Sequence, residues 1–411
     1  MKRIVVIGGG AAGLMAAFSA ASSDNTVFLI EKNSRPARKV MITGKGRCNV
    51  TNNCDVDTLI KNVPKNGKFL YSAFSKFDSY ATMRFFEEAG VPLKTERGQR
   101  VFPASDKAVD IVDALVNAVK RQGVKIITDS ATEILADNGK VSAVKLSGGE
   151  QIAADSVIVA TGGMSYPLTG STGDGYRMAE SVGHTVTELK PSLVPLTVHE
   201  GFCSLLSGLS LKNVTLSVFE QGKKKPIFCE LGEMLFTHFG ISGPLVLSAS
   251  SHIRYMGKKS YFAKIDLKPA LTEEQLDKRI LRDFEEQSNK DFINSLGSLL
   301  PKSIIPVIVS LSGIENHRKV NQISREERCC LISVIKGLTL GITGFRPIVE
   351  AIITSGGISV KEINPSTMES KLVKGLYFAG EILDTDAYTG GFNLQIAFST
   401  GHLAGSSAKG E

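Results

Sequence analysis

The sequence has no block of like charge, no CxxC, no long apolar run and no internal repeat, and each absence removes a class of protein. No apolar stretch approaches the roughly eighteen residues that a membrane helix needs; the longest, around Val157–Ala160 and Ile304–Leu311, are the size of core segments. The six cysteines, Cys48, Cys54, Cys203, Cys229, Cys329 and Cys330, form no pair at metal-ligand spacing. No zinc ribbon, dithiol centre or other metal site is therefore expected, and the chain reads as reduced and cytoplasmic. Lys+Arg 48 against Asp+Glu 41 leaves a formal +7 that is thinly spread, which argues against a stable nucleic-acid partner. Met1-Lys2-Arg3 before an alanine-rich stretch imitates a secretory signal, yet glycines at fixed offsets and a following strand pattern point to a folded N-terminus.

Glycine is what the sequence has in excess, 40 among 411 residues, and the glycines are clustered. The length allows two or three domains at roughly 100–200 residues each. Residues 3–32 follow a βαβ pattern: the apolar run Ile4-Val5-Val6-Ile7 suits a strand buried on both faces, Gly8 to Gly13 turn the chain, Leu14–Ala21 continue as helix, and Val27–Ile30 form the next strand. Phe77–Ala89 and Asp106–Gln122 read as amphipathic helices stopped by Gly90 and Gly123. Asp137-Asn138-Gly139 and Ser147-Gly148-Gly149 mark hairpin turns before the buried strand Val157–Ala160. After Pro191 the texture changes to short strands, and residues 271–338 turn helical, with capping boxes at Thr272/Gln275 and Ser324/Glu327. The expected organisation is α/β. Residues 1–195 and 339–411 form one Rossmann-like domain, interrupted by a β-rich domain at 196–270 and a small helical domain at 271–338.

Gly8-x-Gly10-x-x-Gly13 follows a strand and opens a helix, the context that makes this pattern a dinucleotide fingerprint. The first glycine permits the tight turn, the second lets backbone approach a pyrophosphate, and the third allows close helix–strand packing. Glu31, eighteen residues past Gly13, is placed to accept a ribose 2′-hydroxyl, which favours FAD or NAD over NADP. The loop Thr43-Gly44-Lys45-Gly46-Arg47-Cys48-Asn49-Val50-Thr51-Asn52 suits a second approach to phosphate or to a flavin edge. Ala160-Thr161-Gly162-Gly163 ends a buried strand and fits close passage beside a cofactor. Towards the C-terminus, Gly380-Glu381-x-x-Asp384 offers a strand-end carboxylate for ribitol hydroxyls, and Gly390-Gly391-Phe392-Asn393-Leu394-Gln395 opens a helix whose N-terminus suits negative charge at the N1/O2 side of a reduced flavin.

These motifs, with ATGGMSYPLTGSTGDGY at 160–176, GEMLFTHFGISGP at 232–244 and residues 356–401, resemble those of the bacterial aminoacetone-oxidase-like flavoproteins, also described as BaiN-type or NAD(FAD)-utilising dehydrogenases. The resemblance runs in order along nearly the whole chain. It implies a two-dinucleotide-binding-domain flavoprotein fold with non-covalent FAD, an inserted β-barrel-like domain and a small helical domain. It places FAD contacts on Gly8, Gly10, Ala12, Gly13, Glu31, Arg38, Lys39, Gly44, Arg47, Asn49, a backbone group near Ala131, Thr161, Gly162, Asp384, and the turn Gly391-Phe392-Asn393-Leu394. Members act on different substrates, so the resemblance bears on cofactor more than on substrate.

A second GxGxxG for a nicotinamide is missing, because the glycines of 169–175 lack a preceding strand and the spacing. NAD(P)H would then visit the flavin transiently, or oxygen would reoxidise it. His238, in Phe236-Thr237-His238-Phe239-Gly240, suits a proton donor or acceptor, although a histidine between aromatics also reads as packing. Tyr166 divides between lining the flavin and loop packing, and His184 reads as a cap on helix 175–182. Cys48 and Cys329-Cys330 read as packing, and Lys223–Lys225 as a solvated turn. The expected function is FAD-dependent hydride transfer with a small carbonyl or enone substrate and NAD(P)H as reductant. Its alternatives are a flavin amine oxidase using oxygen and a flavin-bearing, nucleic-acid-associated protein. Nothing in the sequence speaks to oligomeric state.

Overall fold

The computed structural model describes residues 1–410. The chain forms two compact units, one from Met1–Ser192 with the segment from Ile348 onward, the other from Leu193–Pro347.

The first unit is built on a five-stranded parallel sheet in the order Leu376–Phe378, Ser156–Val159, Lys2–Ile7, Asn25–Glu31, Lys125–Thr128. Ile4, Val5 and Val6 are fully buried in its centre, as a continuous apolar run requires when helices cover both faces. The helix Ala11–Ala20 packs against the closing helix Phe392–Lys409. Gly401 and Gly405 make that approach possible, since a Cβ on them would stand 2.4 and 2.3 Å from the carbonyl oxygens of Ala12 and Ala16. The Asn138-Gly139 turn, with both φ values positive, joins strands Ala131–Asp137 and Lys140–Leu146 of a three-stranded meander. A second small sheet pairs Thr51–Asn52 with Arg100–Pro103 and Leu93–Glu96.

The second unit is a closed antiparallel barrel of six strands: Leu196–Val198, Gly240–Ser242, Phe228–Thr237, Ser210–Glu220, Tyr261–Asp266 and Leu338–Phe345, the last pairing back to the first. Helices Glu273–Glu285, Ile305–Ser312 and Arg325–Lys336 belong to the same unit, and both expected capping boxes form. The sequence-based boundaries need two corrections. Barrel and helices share one apolar core, in which Ile265 and Leu340 pack with Leu276, Ile308 and Leu331, so 196–270 and 271–338 are not separate bodies. The return to the Rossmann unit comes at 348 and not at 339, because Leu338–Phe345 closes the barrel. Its alternation, with Leu338, Leu340 and Ile342 inward and Thr339 and Thr343 outward, is that of a strand buried on one face. No helix among the described residues is long and apolar enough to cross a membrane.

Candidate functional site

The cradle begins at the first strand's end. Gly8 has φ +100° and a Cβ there would meet the Ala160 carbonyl oxygen at 2.6 Å; one on Gly13 would meet the Gly8 oxygen at 1.7 Å. Both glycines are therefore demanded by the protein's own backbone. Gly10 is different: its φ is an ordinary −78°, and a Cβ would find nothing within 4 Å. Glycine here leaves the backbone open to close approach, where the unpaired N–H groups at the start of the Ala11–Ala20 helix favour phosphate. These residues fit the pyrophosphate of a dinucleotide.

Glu31, 7% exposed, ends the second strand beside that turn. Its carboxylate accepts from Gly9 N at 2.8 Å and from Asn33 N and Nδ2 at 2.7 Å each. Three of roughly four lone-pair sites are used, which leaves one for a ribose hydroxyl. Thr161, at the end of strand Ser156–Val159, buries a hydroxyl with no partner, and Gly162 beside it turns with φ +75°. Ala12 is buried in the contact with the closing helix and offers only backbone. Ala131 opens the first meander strand, paired with Leu146, and Asp129 just before it donates from its backbone N to the Glu31 carbonyl.

Several side chains expected on the cofactor are committed elsewhere. Arg47 lies over the Phe102 ring at 4.2 Å and pairs with Glu96 and Asp106 at 2.5 Å, hydrogen bonds that raise its pKa further. Its charge is shared between these two carboxylates. Lys39 donates to Glu381 and Ser165, both at 2.6 Å, and Arg38 to Asn33 at 3.0 Å. Gly44, Lys45 and Gly46 form an exposed left-handed run. Cys48 is buried, and burial pushes its thiol up to about 12, which disfavours the thiolate.

The closing helix starts behind Gly390 and Gly391 (φ +125° and +99°) with no side-chain cap. A Cβ on Gly391 would meet the Thr51 carbonyl oxygen at 2.3 Å, so the helix end is pressed onto the Gly-rich loop. The first-turn N–H groups of Phe392, Asn393 and Leu394 have no intrahelical partner. The Asn393 side chain is occupied, accepting from Ala387 N and donating to Ala387 O, both at 2.9 Å. Asn49 accepts from Gly391 N at 2.9 Å and donates to the Thr51 and Val101 carbonyls, in the amide orientation that satisfies both ends. Asp384, 4% exposed, accepts from Lys65 Nζ at 2.6 Å and from Asn66 Nδ2 at 3.3 Å. No motif marked Lys65 or Asn66, because their partner lies more than three hundred residues away.

The proposed acid–base residues sit in different units. Tyr166 is half-buried with a left-handed φ of +51°, and burial raises its phenol pKa. His238 is exposed on the two-residue turn between Phe228–Thr237 and Gly240–Ser242, edge-on to Phe239, over whose ring Arg346 lies at 4.4 Å. His184 closes the helix Asp174–Ser181 through its backbone, whose N–H donates to the Ala179 carbonyl at 3.0 Å beside the left-handed Gly183. Its buried ring joins Glu362 at 3.2 Å and Ser370 at 2.8 Å, a tie between distant chain segments. Among the described residues no group of His, Cys, Asp or Glu is placed to hold a metal.

Comparison with known proteins gives this cradle its class. The chain is an FAD-dependent oxidoreductase on a Rossmann fold. It belongs to the HI0933-like family, whose Rossmann-domain model matches residues 2–407. The 3-dehydro-bile acid delta(4,6)-reductase of Clostridium scindens is 33% identical over 414 residues, 99% of either chain. The ribosomal RNA dihydrouridine synthase of Haemophilus influenzae is 32% identical, over 97% of this chain and 96% of that one. The 3-ketosteroid delta1-dehydrogenase of Sterolibacterium denitrificans, at 12% identity and a TM-score of 0.53 with both chains fully covered, shares the fold.

Proposed function

We propose that the protein reduces a carbon–carbon double bond conjugated to a carbonyl, with NAD(P)H as the reductant. The observation that carries this reading is the similarity, along almost the full chain, to two relatives whose names describe one bond change. A delta(4,6)-reductase of a 3-dehydro bile acid and a dihydrouridine synthase both add two hydrogens to an alkene in conjugation with a carbonyl. When bound, non-covalent FAD supplies the hydride that such a carbon accepts. The chain's own part is to bind, orient and move a proton. The Gly8–Gly13 turn seats the pyrophosphate, Glu31 holds ribose, and the N-terminus of the Phe392–Lys409 helix favours negative charge on the reduced ring. His238 and Tyr166 are the proposed proton donors and acceptors; the raised phenol of Tyr166 stays protonated at neutral pH and suits a donor.

An RNA substrate is the second reading. Residues 193–347 hold 20 Lys and Arg against 15 Asp and Glu, so five of the seven net positive charges fall in the inserted unit. Phosphate backbones are bound through such charge. Lys223 is partly neutralised by Glu220 at 3.2 Å, while Lys224 and Lys225 stay exposed.

Anaerobic mixing of the purified holoprotein with NADH or NADPH, followed by a steroid dienone or by unmodified ribosomal RNA, tests both readings. Flavin bleaching by the nicotinamide, and a product two mass units heavier, are expected. A dienone product supports the first reading and a dihydrouridine product the second. Reoxidation by oxygen after reduction by a primary amine, with neither alkene reduced, overturns both in favour of an amine oxidase.

A further inference from the structure

We propose that Asn49, Thr51, Asn52 and Gln395 are positioning residues: they lock the N-terminus of the Phe392–Lys409 helix in one place and thereby set the reduction potential of the flavin. This rests on the reading that the helix end serves the reduced ring. The Gly-rich loop 43–52 suits an approach to phosphate or to a flavin edge, and it also faces the closing helix. Three of its side chains reach that helix. Asn49 accepts from Gly391 N at 2.9 Å, Asn52 donates to the Gly390 carbonyl at 3.1 Å, and Thr51 donates to Gln395 at 2.6 Å.

Gln395 is fully buried, within the first turns of the helix, and uses its whole hydrogen-bonding capacity. Its Oε1 accepts from Thr51 at 2.6 Å and faces the Thr82 hydroxyl at 2.9 Å; its Nε2 donates to the Phe77 carbonyl at 3.0 Å and to Ser399 at 2.8 Å. Thr51, Thr82 and Ser399 are also fully buried. Simple packing would be served better by apolar side chains, because buried polar groups repay their desolvation only when every partner is present. A satisfied network specifies direction and register, which apolar contact does not. The network ties the helix to three segments: strand Thr51–Asn52, helix Ser79–Glu88 and the Phe77 carbonyl before it.

The helix end has little slack for other reasons as well. Gly391 lies against Thr51 so closely that any side chain would overlap it. A helix dipole acts within its first turn only, so a small displacement of that turn changes how strongly it favours an anionic ring. A negative charge that gains less from the helix makes the reduced flavin less stable and lowers its potential.

Thr51→Val removes one hydroxyl at nearly constant volume, and Thr51→Ser restores it. The holoproteins are compared by dye-coupled redox titration and by amide hydrogen exchange. In Thr51→Val, exchange at residues 392–396 should rise about tenfold or more, and the midpoint should fall by about 30 mV, a tenfold loss in preference for the reduced flavin for a two-electron couple. Thr51→Ser should return both to wild type. Gln395→Met should repeat the Thr51→Val result; if it fails to fold, Thr82→Val takes its place. Faster exchange with an unchanged midpoint means the network is structural only, and unchanged exchange means it holds nothing; either result overturns the proposal. Wild-type protein that holds no flavin overturns the underlying reading as well, and is distinguished by the absence of any midpoint.

Discussion

Both units hold glycines with open space around them, but glycines pressed against backbone oxygen are concentrated in the Rossmann unit. In the Rossmann unit a Cβ on Gly8, Gly13, Gly356, Gly357, Gly391, Gly401 or Gly405 would come within 2.6 Å of a backbone oxygen. In the inserted unit, Gly201, Gly208, Gly222, Gly257, Gly297 and Gly313 would meet nothing within 4 Å; a Cβ on Gly240 would meet the Leu196 carbonyl oxygen at 2.4 Å and one on Gly243 the Met234–Leu235 backbone at 3.0 Å, while Gly232, Gly337, Gly341 and Gly344 have neighbours at 3.0–3.3 Å. The difference shows which demands write a motif. Where backbone must lie against backbone or cofactor, one residue type fits and its spacing is legible. Where a barrel needs only an inward-facing apolar side chain, several residue types serve and no fingerprint forms.

Breaking the comparison at its tightest point should have the largest effect. Gly13→Ala drives a methyl into the Gly8 carbonyl at 1.7 Å, and a loss of about 3 kcal/mol or more of stability is expected together with loss of FAD. Denaturant unfolding and flavin content measure both. Gly10→Val sharpens the same point, since a Cβ there meets nothing within 4 Å: melting of the apoprotein should fall by no more than the roughly 1 kcal/mol of a poorer N-cap, while FAD binding fails. Equal damage to apoprotein stability from both variants would remove the argument for a seated pyrophosphate.

In the inserted unit the expected effect is on turnover. His238→Ala should retain FAD and its spectrum while slowing flavin reduction or substrate reduction roughly a hundredfold, the scale of a positioned acid or base. Stopped-flow absorbance separates the two half-reactions, and wild-type rates in both would make the residue incidental. Glu31→Ala should weaken FAD by about 1–3 kcal/mol, the scale of a charged hydrogen bond, read by titrating apoprotein with FAD. An unchanged affinity would place the ribose elsewhere.

Acid should act on both units. Burial holds His184 and His402 in the Rossmann unit below the ordinary histidine value of 6.5, and burial with Arg254 does the same for His252 in the barrel unit. Unfolded histidines then bind protons that the folded ones refuse. Stability contributed by these neutral rings is present above pH 6.5 and is lost as pH falls through and below that value. Thermal melts across this range check it; a melting temperature that rises on acidification contradicts the sign. Smallest of all, Gly297→Ala in the short helical turn Leu296–Ser298 should be neutral or stabilise by up to about 1 kcal/mol, since it has open space and no left-handed φ.

Local chemistry was legible wherever a residue's role depends on near neighbours in the chain. The βαβ unit, the Asn138-Gly139 turn, both capping boxes and the helix stops at Gly90 and Gly123 all depend on spacings of a few residues. The glycine turn with Glu31 belongs to the same group, although its acid proved to be shared with Gly9 and Asn33. Arg47, by contrast, carries no local sign of its partners, because a basic residue in a Gly-rich loop looks alike whether it faces a cofactor or the pair Glu96 and Asp106.

By itself the sequence determined the Rossmann frame, the cofactor class and the positions where only glycine fits, since steric exclusion acts at the residue that carries it. The tertiary structure decided which strand closes the barrel, that barrel and helices share a core, and that Asn49, Thr51 and Asn52 hold the helix while Lys65 and Asn66 hold Asp384. These are pairings between residues up to several hundred positions apart. A polar side chain carries its donors and acceptors in the sequence, but burial and distance choose the partner, and those exist only once the chain has folded.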